Sequence, residues 1–301
     1  MIDIIGDIHG YADKLELILQ QLGYENSKGF YQHPDKNRSI LFIGDYIDRG
    51  PKIRETLELV KAMVDNDSAI ALMGDHEYNA ILFNTKDFDG NYLREHNQQN
   101  INQHSATLEA FNNKEDEYKK YIEWFKSLPL FYENEHFRAV HAAWNYNSIQ
   151  CLKAVLDNAH ITDELILEAA DESTDLFDAI EITLKGKEIE FPAGNIFKDK
   201  DGHERSSIRT KWWENPIKNT FKSIAIHPNG TYPDDKIELA DSFYDANDKP
   251  VFFGHYWLKG EPKLFQNNIC CVDYSVANNG KLVCYTYNNE KKLNDSNFTF
   301  V

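Results

Sequence analysis

Five short motifs, each directly after a brief apolar run, constrain this chain more than any other feature. Each run ends at a glycine or a polar residue, which is typical of a buried strand. Each motif then supplies an aspartate, a histidine or both. We expect five strands of one sheet, whose polar ends meet at the edge where α/β folds usually bind ligands. The motifs are Gly6-Asp7-Ile8-His9-Gly10, Gly44-Asp45-Tyr46-Ile47-Asp48-Arg49-Gly50, Gly74-Asp75-His76-Glu77, His141 and Gly254-His255.

The order of elements at the start of the chain predicts a parallel sheet. Predicted strands at residues 2–5, 39–43 and 69–73 alternate with helical patterns at residues 11–22 and 51–64. Strands joined by crossover helices run parallel.

Later in the chain, short apolar runs and turns predict antiparallel pairing. Residues 130–132 and 137–140 flank Glu133-Asn134-Glu135 and predict a hairpin. Runs at residues 251–253, 269–272 and 282–287 alternate with turn-forming residues, so we expect these strands to be antiparallel as well.

Two stretches between the motifs predict additions to a single domain of residues 1–301. Residues 84–125 are rich in Asn, Gln and charge, yet Ile101 and Leu108 belong to a near-helical apolar spacing, which predicts a helical insertion beside the site. Residues 145–248 separate His141 from the last motif, and we expect them to form a cap that shapes substrate access.

Composition narrows the possible partners and the location. The net charge of −17 argues against a protein that binds duplex nucleic acid and against docking to an anionic membrane. No apolar run approaches the ~20 residues that span a bilayer. The first residues carry no basic segment, so we expect no signal peptide and a cytoplasmic location. Cys270, Cys271 and Cys284 lie in strand-like runs and are predicted to be buried fillers.

Aspartate and histidine together suit divalent metals of intermediate hardness. Asp7 and His9 alternate and therefore share one side of a strand end, where they are predicted to hold one ion. Asp45 follows the next strand, where its carboxylate can bridge two ions. Asp75, His141 and His255 are predicted to complete the second ion.

The same motifs offer groups for phosphoryl chemistry. Two ions about 3.5–4 Å apart clamp the attacking and leaving oxygens of an in-line displacement, and a bridging hydroxide serves as the nucleophile. His76 follows a ligand directly and is predicted to give a proton to the leaving oxygen, oriented by Asp48. Arg49 offers a planar fork for two phosphate oxygens. Each motif alone also fits a structural role, and only the combination predicts a site.

These motifs resemble those of the calcineurin-like metallophosphoesterases. The Asp-Arg-Gly extension at residues 48–50 is most similar to the phosphoprotein phosphatase branch, which holds serine/threonine phosphatases and diadenosine tetraphosphate hydrolases. The resemblance covers residues 6 to 255. It implies an α/β fold with a four-layer αββα sandwich and two divalent metal ions, with Mn most expected and Fe, Zn or Mg as alternatives.

The resemblance also implies roles for individual residues. The six ligands would be Asp7, His9, Asp45, Asp75, His141 and His255, with His76 and Asp48 as the catalytic pair and Arg49 on the phosphate. The family has a second phosphate-binding arginine between the last two histidine motifs, for which Arg209 is the better candidate and Arg205 the weaker.

Asp75 departs from the family pattern, which has Asn at this position. On one protonation scheme, two M²⁺ ions, three aspartates and one bridging hydroxide sum to zero, whereas the Asn form carries one positive charge. We therefore expect Asp75 to hold metal more tightly but to attract phosphate less and to acidify the bridging water less. A silent, isosteric replacement is the alternative.

Three functions compete at this point. The first is a two-metal phosphatase acting on phosphoric monoesters, from phosphoproteins to small phosphoesters. The second is a dinucleoside polyphosphate hydrolase, in which Trp212, Trp213 or Trp257 stacks on adenine; the Trp212-Trp213 pair is more simply explained as a core anchor of the cap. The third is a weakened or inactive metal-binding relative, which only Asp75 suggests.

Overall fold

The computed structural model describes residues 1–27, 29–192, 196–198, 204–226, 232, 234–237 and 243–301. Its strands are β1 (Ile2–Ile5), β2 (Glu25–Asn26), β3 (Tyr31–Gln32), β4 (Ser39–Phe42), β5 (Ala69–Ala71), β6 (Phe131–Glu133), β7 (Arg138–Val140), β8 (Glu188–Glu190), β9 (Phe197–Lys198), β10 (Glu204–Arg205), β11 (Ser207–Arg209), β12 (Val251–Phe253), β13 (Ile269–Cys271), β14 (Asp273–Tyr274), β15 (Lys281–Tyr287) and β16 (Phe298–Phe300). Its α-helices are α1 (Ala12–Gln21), α2 (Ile53–Asp65), α3 (Asp75–Asn84), α4 (Gln98–Ala110), α5 (Glu115–Lys126), α6 (Tyr146–Val155), α7 (Ile166–Ala169), α8 (Asp175–Lys185) and α9 (Phe221–Ile224).

The larger sheet has the strand order β14-β15-β1-β4-β5, with β16 also paired to β15. Its centre is parallel, because β1 pairs parallel with β4 and β4 parallel with β5. This confirms the parallel start predicted from the alternating strands and helices. On the other side of β1, β15 runs antiparallel, and it is antiparallel to β14 and β16 as well.

The second sheet has the order β13-β12-β7-β6 and corrects two expectations. The five site strands do not form one sheet, because β7 and β12 belong here. Strands stacked in two sheets bury their side chains just as neighbours in one sheet do, so the apolar pattern cannot separate the two cases.

The second correction concerns strand direction. The prediction of antiparallel pairing was wrong for β12 and β13, which pair parallel. The connection between them, residues 254–268, carries His255 and has the dozen or more residues that a parallel crossover needs. The predicted hairpin is confirmed, since β6 and β7 pair antiparallel.

A compact apolar cluster lies between the two sheets. Ile4 and Leu41 from the larger sheet and Phe252 and Cys270 from the smaller one belong to it, and all four are fully buried. The residues next to them in sequence, such as Ile5, face the helices on the outer side instead. Both faces of these strands are therefore buried, which explains why their sequences are continuous apolar runs.

Helices cover the outer faces of the sheets. α1 contacts β15 and α2 contacts β5 on the larger sheet. α6 and α8 pack together, and their apolar residues share one core cluster with Val140 and Phe253, which end β7 and β12. The mixed α/β fold with two central sheets and flanking helices agrees with the fold class implied by the resemblance.

The two predicted additions contain described elements. Residues 84–125 include α4 and α5, and residues 145–248 include α6 to α9 and β8 to β11. Part of the second stretch lies outside the described residues, and the division into insertion and cap stays a prediction. Within the described part of the chain, no helix combines the length and apolar character needed to cross a membrane. Cys270, Cys271 and Cys284 are free and buried, as predicted.

Candidate metal centre

The predicted ligands lie at the carboxyl ends of strands from both sheets. β1, β4 and β5 end just before Asp7, Asp45 and Asp75, and β7 and β12 end just before His141 and His255. The sandwich thus delivers all five strand ends to one edge. The convergence that the motifs predict is present, although it takes two sheets to form it.

Asp45 lies between two groups of potential ligands. One group contains Asp45, Asp75, His141 and His255, and the other contains His9, Asp45 and His76; within each, one ligand atom per residue lies within 4.8 Å of the others. Asp45 Oδ2 is 3.5 Å from His9 Nε2, and Asp45 Oδ1 is 3.4 Å from His141 Nε2. The two oxygens of one carboxylate therefore face different groups.

Backbone carbonyls orient two of the histidine rings. His9 Nδ1 lies 2.9 Å from the carbonyl oxygen of Ile47, and His141 Nδ1 lies 2.9 Å from that of Ile43. When each Nδ1–H donates to its carbonyl, each Nε2 presents a lone pair to the site, which is how metal-binding histidines are usually held. His9 Nε2 is buried and has no hydrogen-bond partner among the described residues.

The second ligand group is centred on one oxygen of Asp75. Asp75 Oδ1 lies 3.3 Å from His141 Nε2 and 3.1 Å from His255 Nδ1. Burial raises the pKa of the Asp75 carboxyl, but its interactions with His255 and His141 outweigh burial and hold the pKa well below its usual range. Burial lowers the pKa of His255 to about 3 despite Asp75, and the positive charge of Arg209 adds to this.

The buried carboxylates make the centre a site for positive charge. Burial raises the pKa of Asp45 to about 6, and burial together with the charge of Asp273 raises the pKa of Asp7 well above its usual range. Burial also lowers the pKa of His9 well below its usual range, so this ring is neutral.

Burial lowers the pKa of His141 as well, but the charge of Asp45 and the contact with Asp75 outweigh it and raise that pKa well above its usual range. Where buried carboxylates crowd histidines in this way, a divalent cation can take the place of the proton. The residues present therefore fit a divalent metal centre.

Asp7 is beside the two groups and belongs to neither. Its carboxylate accepts the backbone N–H of His255 at 3.1 Å. The charge of Asp273, a buried carboxyl group that sequence reasoning missed, acts on Asp7 and contributes to its raised pKa. Asp273 in turn accepts the backbone N–H of Trp257 at 2.6 Å and that of Ser275 at 2.9 Å. Asp273 follows β13 without a histidine or glycine beside it, so it lacked the signature of the other motifs.

Two glycines allow the site loops to approach each other. A Cβ added at Gly74 would lie 2.2 Å from Asp45 Oδ1, and one added at Gly254 would lie 2.1 Å from Asp7 Oδ1. Any side chain here would displace a predicted ligand. The glycines of these motifs are explained by the space that the carboxylates occupy.

Left-handed backbone conformations are concentrated in the same loops. The φ angles of His9, Asp45, Asp48, Arg49 and His255 are 48°, 57°, 65°, 68° and 71°. Non-glycine residues adopt this region at a cost of about 1–3 kcal/mol each, and such residues gather at functional sites. The surrounding contacts must hold these loops in place.

Glu77 is the main support of the Asp45 loop. Glu77 Oε2 accepts the backbone N–H groups of Asp45 at 2.8 Å and Gly74 at 3.0 Å. Glu77 Oε1 accepts those of Tyr46 at 2.8 Å and Ile47 at 3.3 Å. One fully buried carboxylate thereby joins the second and third motifs. Its presence in the third motif was visible in the sequence, but its role was not.

The predicted catalytic pair is in contact. His76 Nδ1 lies 2.5 Å from Asp48 Oδ2, and both side chains are buried. Burial opposes protonation of His76, but the charge of Asp45 and the hydrogen bond to Asp48 outweigh it and raise the pKa of His76 to about 9. The ring of His76 also lies 4.8 Å from that of His9. His76 is therefore close enough to the first ligand group to be weighed as a ligand as well as a proton donor.

Two residues of α4 that sequence reasoning missed also contact Asp48. His104 Nδ1 lies 2.8 Å from Asp48 Oδ1, and Thr107 Oγ1 donates to the same oxygen at 2.5 Å. The apolar spacing of Ile101 and Leu108 predicts the helix, but it does not place His104 and Thr107 inside the protein.

The predicted phosphate-binding arginines lie near different histidines of the centre, since the charge of Arg49 acts on His9 and that of Arg209 acts on His255. Arg49 is exposed, and its guanidinium carbon lies 4.2 Å from the ring centre of the partly buried Trp257. Arg209 is half-exposed, lies 3.4 Å from Glu188, and is close enough to His255 for its charge to affect that ring. Arg205 is exposed on β10.

The three tryptophans considered for base stacking differ in accessibility. Trp212 and Trp213 are buried, with their rings 5.3 Å apart and both packed against Phe253. They serve the core, as the simpler explanation for this pair supposed. Trp257 is partly exposed, and its ring centre lies 5.9 Å from that of His9.

Comparisons with known proteins are consistent with this centre. The sequence profile of the calcineurin-like phosphoesterase family matches residues 1–256. The bis(5'-nucleosyl)-tetraphosphatase PrpE [asymmetrical] of Halalkalibacterium halodurans is 46% identical over 74 residues, which are 25% of this chain and 30% of that protein. The same-named protein of Oceanobacillus iheyensis is 36% identical over 132 residues, 43% of this chain and 50% of that protein. The chain thus spans half or less of the length of these relatives.

Among solved structures, a protein serine/threonine phosphatase from Saccharomyces cerevisiae matches with a TM-score of 0.49 and 12% identity, covering 100% of this chain and 78% of that one. The profile match includes all five motifs and most of the chain. The protein belongs to the calcineurin-like phosphoesterase family.

Proposed function

We propose that the protein is a two-metal phosphatase that hydrolyses phosphoric monoesters. The observation that carries the proposal is the position of Asp45, whose two oxygens face His9 and His141 at 3.5 and 3.4 Å. A carboxylate that serves two ligand groups at once is suited to a pair of adjacent cations. The chemistry of the buried Asp and His set, described above, supports the same conclusion.

The ligands divide between two cations in this proposal. Asp7, His9 and Asp45 would hold one, and Asp45, Asp75, His141 and His255 the other. Mn²⁺ suits the mixed oxygen and nitrogen donors, with Fe, Zn²⁺ or Mg²⁺ as alternatives. When bound, the cations supply positive charge for the phosphate oxygens and lower the pKa of the water that attacks phosphorus in line.

The remaining residues of the centre handle the proton and the substrate. Asp48 accepts the Nδ1–H of His76 at 2.5 Å, which leaves the other ring nitrogen to protonate the leaving oxygen. The charge of Asp45 and the hydrogen bond to Asp48 raise the pKa of His76 despite its burial, which favours the protonated ring. Arg49 binds phosphate oxygens from the exposed side, and Arg209 from the side of His255.

Activity measurements with three substrates test the proposal. The purified protein with Mn²⁺ should turn over p-nitrophenyl phosphate and lose that activity when the metal is chelated. Bis-p-nitrophenyl phosphate and diadenosine tetraphosphate serve as the diester and dinucleotide comparisons. Monoester turnover alone supports the proposal. Absence of turnover by the metal-loaded protein and by Asp75→Asn would identify a metal-binding relative without activity.

His76→Asn tests the division between ligand and proton donor. We expect the variant to lose at least 100-fold in turnover of phenyl phosphate, whose basic leaving group needs a proton, the range typical of general acids, while two metal ions per chain remain by elemental analysis. Loss of one metal ion together with activity would place His76 among the ligands.

A second candidate function is dinucleoside polyphosphate hydrolysis. The observation that favours it is the position of Trp257, which is partly exposed. The guanidinium carbon of Arg49 lies 4.2 Å from the ring centre of Trp257, so that an aromatic face lies next to a proposed phosphate-binding group. The relatives named bis(5'-nucleosyl)-tetraphosphatase support the same reading. A base stacked on tryptophan contributes about 1–3 kcal/mol. Trp257→Ala should then raise KM for diadenosine tetraphosphate about tenfold or more and leave KM for p-nitrophenyl phosphate nearly unchanged.

A further inference from the structure

Asp48 accepts more hydrogen bonds than the catalytic pair requires. Its Oδ2 is occupied by His76 at 2.5 Å, and its Oδ1 receives Thr107 Oγ1 at 2.5 Å and His104 Nδ1 at 2.8 Å. The backbone N–H of Asp48 donates back to Thr107 Oγ1 at 3.0 Å. The two carboxylate oxygens of Asp48 therefore have different hydrogen-bond partners. Rotation of the carboxylate would break several of these bonds together.

The network continues away from the site in one direction. His104 Nε2 lies 2.6 Å from the hydroxyl of Tyr118, and Asn84 Nδ2 donates to that hydroxyl at 3.1 Å. Tyr118 can therefore donate to Nε2, which leaves the proton of a neutral His104 on Nδ1, facing Asp48. In this network the side-chain polar groups of Asp48, Thr107, His104 and Tyr118 all have partners, as buried groups require.

The helix that supplies these residues is organised around them. His104 and Thr107 are three residues apart on α4, so they share one face. They are its buried residues, 6% and 0% exposed, whereas the apolar Ile101 and Leu108 are only partly buried. Because α4 turns these polar side chains inward, we attribute its position to their hydrogen bonds with Asp48.

We infer that His104 and Thr107 are positioning residues that hold Asp48 so that His76 is aimed at the leaving oxygen of the substrate. This inference rests on the proposed function, in which His76 is the proton donor. Burial raises the pKa of the Asp48 carboxyl, but the hydrogen bonds from His104 and His76 outweigh it and keep the pKa well below its usual range. Asp48 thus remains an acceptor for His76, and the insertion contributes to catalysis through it.

The test uses leaving groups that differ in their need for a proton. The metal-loaded protein is assayed with p-nitrophenyl phosphate, whose leaving group is stable as an anion, and with phenyl phosphate, whose leaving group is more basic. Thr107→Val and His104→Leu should lower kcat for phenyl phosphate about 10- to 100-fold. We expect less than threefold for p-nitrophenyl phosphate, little change in KM and two metal ions per chain.

Conservative variants and a control on the same helix separate positioning from folding. Thr107→Ser keeps the hydroxyl, and His104→Asn keeps a donor near the position of Nδ1, so both should retain most activity. Ser105 is exposed, and its hydroxyl bonds the carbonyl of Asn102 at 2.9 Å, so Ser105→Ala controls for loss of a hydroxyl from α4. If His104→Leu fails to fold, His104→Asn and the Thr107 pair still decide the question.

A double-mutant comparison tests whether the effect passes through His76. In the His76→Asn background, Thr107→Val should cause no further loss. Equal losses with both substrates, or an additional loss in the His76→Asn background, would overturn the inference. If His76→Asn itself retains full activity, the proposed proton donor is wrong; if only the α4 variants behave like wild type, the proposed function stands and this inference fails.

Discussion

At the scale of single residues, Asp75 is where the charge of the centre departs from the family pattern. Its Oδ1 already faces two histidine nitrogens at 3.3 and 3.1 Å, and an amide oxygen could occupy the same position. Asp75→Asn removes one negative charge next to the bound cations. Turnover should rise about three- to tenfold at saturating Mn²⁺, or ~0.7–1.4 kcal/mol of barrier, and inorganic phosphate should inhibit more strongly.

Metal affinity should change in the opposite direction. The Asn variant should need a higher Mn²⁺ concentration for half-maximal activity, because a neutral oxygen holds a cation less tightly than a carboxylate. Asp116→Asn is the matched control, since the Asp116 side chain is 97% exposed. Unchanged or lower turnover in Asp75→Asn at saturating metal would count against the charge argument.

Glu77 leads to a prediction about stability. Four backbone N–H groups converge on its two oxygens, so Glu77→Gln would turn an amide NH₂ toward two donors that it cannot satisfy. Leaving two buried donors unpaired should lower the free energy of unfolding by about 2–4 kcal/mol. Urea denaturation measures this change, and Glu58→Gln, at a side chain 57% exposed, should stay within about 0.5 kcal/mol of wild type. A Glu77→Gln variant as stable as wild type would show that these bonds contribute little.

The position of a residue in the candidate site could be predicted where its side chain follows a strand within a motif. Asp45, His141 and His255 could be located because residues that follow the carboxyl ends of strands lie together at one edge of the sandwich. His104 and Thr107 could not be located in this way, because their partner Asp48 is distant in sequence and they are not part of the apolar spacing of their helix. Residue types that meet only after folding leave no local signal.

At the scale of elements, local pattern decided which strands form but not how they pair. Apolar runs located β1, β4, β5, β7 and β12, because burial on both faces selects continuous apolar sequence. The connection that carries His255 is long enough for a parallel crossover, and this sets the direction of β13. The turn-forming residues near the end of that connection are also typical of a hairpin, which explains the wrong prediction of antiparallel pairing. The sequence does not show which strands belong to which sheet, because stacked sheets and neighbouring strands of one sheet both produce continuous apolar runs.

The β6–β7 hairpin carries an ionic cluster that predicts a pH effect. Glu133 accepts hydrogen bonds from Arg138 of β7 at 2.8 Å and Lys153 of α6 at 2.6 Å. Burial raises the pKa of the Glu133 carboxyl, but the bonds to Lys153 and Arg138 outweigh it and lower the pKa to about 2. A folded-state pKa below the unfolded value contributes stability above the unfolded pKa, near 4.5, and this contribution is lost as the pH falls toward 2.

Glu133→Gln should therefore destabilise the protein at neutral pH and matter less in acid. We expect a loss of about 1–2 kcal/mol in the free energy of unfolding at pH 7, after allowing for solvent screening of the partly exposed group. The difference from wild type should begin to shrink below about pH 4.5 in urea denaturation. Glu123→Gln, at a side chain 66% exposed, is the control. A difference that stays constant down to pH 3.5 would contradict the role of this charge.

At the scale of the whole molecule, the candidate metal centre lies where the two sheets meet. Asp7, Asp45 and Asp75 come from the larger sheet, and His141 and His255 come from the smaller one. Cations bound between them would neutralise buried carboxylates and tie the sheets together at one edge. The chain as a whole is also strongly acidic, with a net charge of −17, so bound cations should relieve repulsion within the folded state.

Removal of metal should therefore destabilise the entire fold and not only the site. Binding at 100 times Kd stabilises the native state by about 2.7 kcal/mol, which corresponds to a fall in Tm on the order of 5 °C when Mn²⁺ is chelated. Asp45→Asn should abolish most of this response, because its carboxylate faces both ligand groups. NaCl at matched ionic strength distinguishes binding from screening of the acidic surface. If NaCl restores the Tm of the chelated protein, or if Asp45→Asn responds to Mn²⁺ as wild type does, the two sheets are not held together by metal at this centre.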